Sequence, residues 1–174
     1  SAASDVYKRQ AVGCPLIHNN VLYNTAFIIF EGKILGIVPK SYIPNYSEFY
    51  EKRWFTAAAM LTDELVTLPF QENIPFGTNL IFAAGDYKFG IEICEDLWVA
   101  IPPSSYLSLL GANIIGNLSA SNELVSKKDY RLSLIANQSA RCMSSYIYSS
   151  AGVHESTTDL LFSGHLVISE NGTI

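Results

Sequence analysis

Two residues of this chain combine reactive chemistry with rigid placement, Cys94 and Lys40. Cys94 ends the hydrophobic run at residues 87–93 in Phe89-Gly-Ile-Glu-Ile-Cys94-Glu-Asp-Leu-Trp98, where the pattern turns abruptly. A thiol held at a strand end, with its sulfur in reach of a cleft, is placed for covalent catalysis. The same position also suits a small core hydrophobe, because free cysteines are among the most buried residues, so this stretch leaves both readings open. As a nucleophile the thiol needs activation, since an ordinary pKa of about 8.5 keeps it mostly protonated at neutral pH. His18, His154 and His165 each stand near a turn or strand end without a partner motif, and they read as surface or hydrogen-bonding side chains. A lysine can serve instead, its ammonium stabilising the thiolate and then an oxyanion. Lys40 follows Pro39 at the end of a buried strand, where a cation is out of place without carboxylates, and Glu48 and Glu51 follow within a helical turn or two. The alternative for Lys40 is a solvated loop charge.

The elements that must position these side chains are short. Residues 11–16 read as a strand and Asn19-Asn20 as a turn. Residues 21–30 and 34–38 form a hairpin around Glu31-Gly32-Lys33. A loop with Pro44 and Asn45 follows, then a helical turn at residues 48–55. Residues 56–69 show no period, and residues 71–78, with Pro75 and Gly77, read as a loop. Residues 79–84 and 87–93 pair around Gly85-Asp86. Ser104 or Ser105 caps a short helix that turns Tyr106, Leu107 and Leu110 inward and ends at Gly111. Residues 113–118 are a strand. Ser126-x-x-Asp129 resembles a capping box opening a helix over residues 127–143, with Leu132, Ile135, Ala136, Ser139 and Met143 on its apolar face. Residues 146–150 are a strand, 152–159 a polar loop, and 161–169 a closing strand. Early hairpins followed by β–α–β alternation give an α+β layered domain.

Composition narrows the function classes. The 174 residues are 49% hydrophobic and 16% charged, with ten tyrosines and nine phenylalanines, which is a globular composition. The net charge of -5 and the lack of a dense basic run argue against nucleic acid as a partner. The three cysteines, Cys14, Cys94 and Cys142, form neither a disulfide framework nor a zinc-ligand pattern, which fits a reducing cytoplasm. No apolar run is long enough to span a bilayer, so no membrane partner is expected. Residues 1–10 read as a non-native leader, leaving residues 11–174 as a partial domain. Glu170-Asn-Gly-Thr-Ile174 reads as a hairpin turn with its second strand barely begun.

Four ordered blocks carry a family resemblance. The first is Gly36-Ile-Val-Pro-Lys40-Ser-Tyr-Ile-Pro-Asn-Tyr-Ser-Glu48-Phe-Tyr-Glu51-Lys-Arg-Trp-Phe55, and the second is Gly90-Ile-Glu-Ile-Cys94-Glu-Asp-Leu-Trp98. The third runs from Asn117-Leu-Ser-Ala-Ser-Asn-Glu-Leu124 to Lys127 and Tyr130-Arg131. The fourth comprises Ala151-Gly152, Glu155-Ser-Thr-Thr-Asp159 and Gly164-His165. In this order they resemble the nitrilase superfamily of carbon–nitrogen hydrolases and, within it, the glutaminase domain of glutamine-dependent NAD synthetases.

The resemblance implies a four-layer α-β-β-α sandwich and a Glu–Lys–Cys catalytic triad. Cys94 matches the nucleophile, Lys40 the catalytic lysine, and Glu48 the further carboxylate that orients the lysine. Tyr46, Phe49 and Glu51 match positions lining the glutamine pocket, with Glu51 taking the substrate ammonium. Ser121 and Lys127 match further pocket residues, although the family often has arginine at the latter. The general-base glutamate belongs to a segment upstream of the matching blocks and has no counterpart in residues 1–10. The implied partners are glutamine, a C-terminal synthetase domain that uses ATP and Mg, and further copies of the chain in a homo-oligomer. No cofactor is implied within this domain. The rival readings are a stand-alone nitrilase-type amidase and a catalytically inactive binding or assembly module.

Overall fold

In the computed structural model, which describes residues 8–174, the chain forms two five-stranded sheets and two α-helices. The first sheet holds β1 (Gln10–His18), β2 (Val21–Phe30), β3 (Lys33–Pro39), β4 (Glu64–Leu68) and β5 (Gln71–Phe76) in the order β1-β2-β3-β5-β4. The second holds β6 (Phe82–Ala84), β7 (Tyr87–Ile93), β8 (Ile114–Ser119), β9 (Ser145–Ser150) and β10 (Leu166–Glu170) in the order β10-β9-β8-β7-β6. Helices α1 (Pro103–Leu109) and α2 (Lys127–Cys142) supply the crossovers that make β7, β8 and β9 parallel. The expectation of a leader at residues 1–10 falls mostly outside the described residues.

Strand alternation divides the apolar side chains into three cores. Tyr23 and Ile37 face outward from the first sheet and pack with Val66, Ile74, Phe76 and Ala58. Ala26, Ile28 and Val38 face the second sheet and meet Phe82, Ile91, Ile93 and Cys94. Leu107 and Ile135 of the helices pack on Ile115, Tyr146 and Tyr148. Where the sheets meet, Gly36 admits the Phe82 ring, because a Cβ there would lie 2.9 Å from Phe82 Cε1. The α+β class and the two-sheet sandwich match expectation, and both helices lie on the second sheet.

Several boundaries differ from the sequence reading. Residues 71–78 contain β5 rather than a loop. Its Gln71 side chain bonds both the N–H and the C=O of Ile34, replacing part of a ladder that a proline at position 75 would weaken. In α1 only Leu107 of the expected inner face is buried, since Tyr106 and Leu110 are exposed. Pro102, not a serine, holds the N-cap. Ser126 takes a left-handed conformation (φ 68°) and makes no side-chain cap bond, so the expected capping box does not form. Met143 is left-handed at the other end of α2 and points to solvent. The closing strand is confined to β10, because residues 161–165 form a loop.

Candidate functional site

Cys94 sits at a sharp elbow. Ile93 is extended, Cys94 turns to φ 48°, and a 3-10 turn covers Cys94–Leu97. A non-glycine residue at positive φ is strained and persists only where its surroundings hold it. Here the buried Asp96 carboxylate accepts the Ile93 N–H at 2.9 Å, closing the turn. The elbow turns the sulfur out of the sheet, so that Cys94 lines two cavities at once.

The larger cavity, about 890 Å³, lies between the sheets, and Lys40, Glu51, Asn117 and Glu155 are among its lining residues. Lys40 directly follows β3, and its main chain is fixed by bonds from its N–H to Asn24 O and from Ala58 N–H to its carbonyl. Its side chain is 1% exposed, a burial that an ammonium tolerates only with a partner. That partner is Glu51, whose two oxygens accept from Nζ at 2.7 and 3.0 Å. Glu51 opens a 3-10 turn, Glu51–Arg53.

The smaller cavity, about 240 Å³, is lined by Tyr46, Glu48, Phe49, Glu95, Ser121 and Lys127, among others. The Tyr46 hydroxyl donates to Glu95 at 2.9 and 3.1 Å. Burial and this acidic neighbour push the Tyr46 hydroxyl far upward. Burial also raises the Glu95 carboxyl, against the bond from Tyr46 and the pull of Lys40. Glu48 accepts from the Asn122 side-chain amide, whose oxygen in turn takes a bond from Lys127 Nζ. Lys127 also stands over the Trp98 and Phe49 rings, 5.4 and 5.7 Å from their centroids. Its pKa is lowered by burial and then by the nearby Arg131 guanidinium. Arg131 is itself fully buried and fastens the loop carrying Ser121 and Asn122, donating to Glu123 at 2.6 Å and to the Asn122 carbonyl at 3.2 Å.

The structure therefore brings the expected residues to one elbow but pairs two of them differently. Glu51, expected to face a substrate ammonium, holds Lys40, whereas Glu48, expected to orient the lysine, lines the small cavity. The cause is local. The 3-10 turn aims Glu51 back at Lys40, and the Asn122 amide draws Glu48 to the opposite side. Neither cavity is lined by a histidine: His18 bonds Glu64 at 2.6 Å and His165 bonds Arg131 at 2.9 Å. Sequence reasoning passed over Glu95, Asp96, Trp98 and Asn122. The first three adjoin Cys94 within its motif, and nearness to that cysteine was the available signal. Among the described residues, no group of three or more His, Cys, Asp or Glu side chains is placed to hold a metal ion.

A family model described as carbon-nitrogen hydrolase matches residues 6–174. The glutamine-dependent NAD(+) synthetase of Mycobacterium tuberculosis is 42% identical over 176 residues, covering 99% of this chain and 26% of that protein. The structure of a glutamine-dependent NAD(+) synthetase from Cytophaga hutchinsonii superposes with a TM-score of 0.82 at 26% identity, over 94% of this chain and 26% of that one. Saccharomyces cerevisiae Nit3, a nitrilase-superfamily member, gives a TM-score of 0.65 at 18% identity over 92% of this chain and 51% of that one, a likeness of fold alone. The chain thus spans about a quarter of the length of the NAD synthetases it matches.

Proposed function

The chain belongs to the carbon–nitrogen hydrolase family, and from that premise we propose that its site hydrolyses the side-chain amide of glutamine through a thioester on Cys94. The observation that carries this reading is the position of Cys94 on the wall of both cavities, with the Lys40–Glu51 pair on one side and a charged, aromatic pocket on the other. The Cys94 sulfur attacks the carboxamide carbon. The Lys40 ammonium and the backbone N–H of Glu95 stabilise the developing oxyanion. A general base takes the thiol proton and returns it to the nitrogen, so that the C–N bond breaks and ammonia leaves, and water then attacks the thioester to release glutamate and restore the thiol.

The small cavity suits a free amino acid. Its carboxylates, Glu48 and Glu95, face a substrate ammonium, and Lys127 faces the α-carboxylate. An uncharged aliphatic amide would leave these groups unpaired, which is costly in a confined site. The general base is supplied from upstream sequence. The ammonia feeds a synthetase domain that uses ATP and Mg to make NAD from nicotinic acid adenine dinucleotide. This assembly is cytoplasmic and homo-oligomeric.

The test is intact-mass labelling with a diazoketone analogue of glutamine, on this chain and on a version extended upstream. Labelling of Cys94 in the extended chain supports the reading. Labelling confined to the extended chain also places the base upstream. Absence of label in both would return Cys94 to the role of a core cysteine.

A further inference from the structure

One buried carboxylate joins the two halves of the reacting pair without lining either cavity. Asp96 is 1% exposed and lies two residues beyond Cys94. Its oxygens accept three backbone N–H groups: Ile93 at 2.9 Å, Tyr42 at 2.9 Å and Ser41 at 3.4 Å. The first bond closes the cysteine elbow after β7. The other two grip the main chain immediately after Lys40, beyond β3, so one side chain stitches the end of one sheet to the end of the other.

The other buried contacts between the sheets are apolar, made by Ala26, Ile28, Val38, Phe82, Ile91 and Ile93, while at the exposed edge Arg9 donates to the Ala83 carbonyl at 3.3 Å. Apolar burial is non-directional and sets a spacing without fixing orientation. A carboxylate bonded to three amides fixes both. Asp96 is also an expensive residue to bury, since burial pushes its pKa up to about 7. For cohesion alone, an apolar side chain of similar size would serve as well.

We propose that Asp96 is a positioning residue that sets the Lys40 ammonium relative to the Cys94 sulfur by fixing the Lys40–Tyr42 backbone to the cysteine elbow. This rests on the reading of Cys94 as nucleophile with Lys40 as its cationic partner. Asp96 acts through the lysine and touches no substrate.

A double-mutant cycle tests it, with the rate of iodoacetamide alkylation at Cys94 followed against pH in the unsubstituted chain, Lys40→Ala, Asp96→Asn and the double variant. In Asp96→Asn an NH2 group replaces one acceptor and releases part of the tether. The expected result is a rate at pH 7 reduced about fivefold or more, with less than about twofold further loss when Lys40 is already Ala. An Asp96→Asn effect of equal size with and without Lys40, or no effect at all, overturns the inference. If Lys40→Ala alone leaves the rate unchanged, the underlying reading of the site fails, whatever Asp96 does. Cys142, buried where α2 meets α1, gauges unfolding through its own labelling. Should Asp96→Asn expose it, hydrogen exchange in the unsubstituted chain decides. Protection of the Ser41 and Tyr42 amides comparable to that of Ile93 sustains the tether, and exchange at free-peptide rates overturns it.

Discussion

At the scale of the residue, the two glutamates near Lys40 divide the work of the site. Glu51 neutralises a buried ammonium and Glu48 faces the small cavity, so their substitutions should separate. Glu51→Ala leaves Lys40 buried without a partner and should slow Cys94 alkylation about tenfold, with glutamine affinity changed less. Glu48→Ala should leave alkylation by a small neutral reagent nearly intact and weaken protection of Cys94 by glutamine by about tenfold. Alkylation rates with and without glutamine measure both effects, and the reverse pattern would restore the assignment drawn from the sequence alone. Cys94 and Lys40 were legible because a reactive side chain at the end of an apolar strand breaks its pattern. The partner of Lys40 was not, because Glu48 and Glu51 stand eight and eleven residues away and a loop can bring either one back.

At the scale of the element, the elbow keeps its aim because α1 presses on β7. Gly90 lies directly under Leu107, and a Cβ there would stand 2.8 Å from Leu107 Cδ1 and 3.1 Å from its Cβ. Leu107 is fully buried and has no open space to swing into. Gly90→Ala should therefore lift α1 from the sheet and destabilise the chain by about 1–3 kcal/mol, measured by urea unfolding. An unchanged midpoint would mean that α1 rides on the sheet without constraint. The β2–β3 hairpin was readable from turn residues between β-prone runs, as was the turn at Asn19-Asn20 ahead of β2, and Asn19, Asn20 and Glu31 do take positive φ there. The pairing of β4 with β5 was not readable, because residues 56–69 show no period and a proline inside β5 mimics a loop.

At the scale of the whole molecule, buried carboxylates make stability depend on pH. Asp96 is raised from its ordinary 3.8 to about 7 by burial, against its backbone bonds and the pull of Lys40 and with a further push from Glu92. Glu92, fully buried, is raised by the same cause. The folded chain therefore holds protons that the unfolded chain has already released above the ordinary carboxylate range. Stability from Asp96 is complete below pH 3.8 and is lost as the pH rises through about 7. Thermal midpoints followed from pH 4 to pH 8 should fall more for the unsubstituted chain than for Asp96→Asn, which cannot titrate. Parallel profiles would show that Asp96 is ionised throughout. Among the described residues, no helix is long and apolar enough to cross a membrane.

The sequence by itself determined the α+β class, through strand periodicity and turn residues, and marked Cys94, Lys40 and the side chains around them as a candidate site, through motifs of fixed spacing and the family resemblance they carry. Tertiary structure decided which carboxylate meets Lys40, that Asn122 bridges Glu48 and Lys127, and that Asp96 ties one sheet to the other. These contacts join residues that can lie more than fifty positions apart. Their partners are selected by the packing of two sheets and the burial of charge, and a chain read one window at a time contains neither.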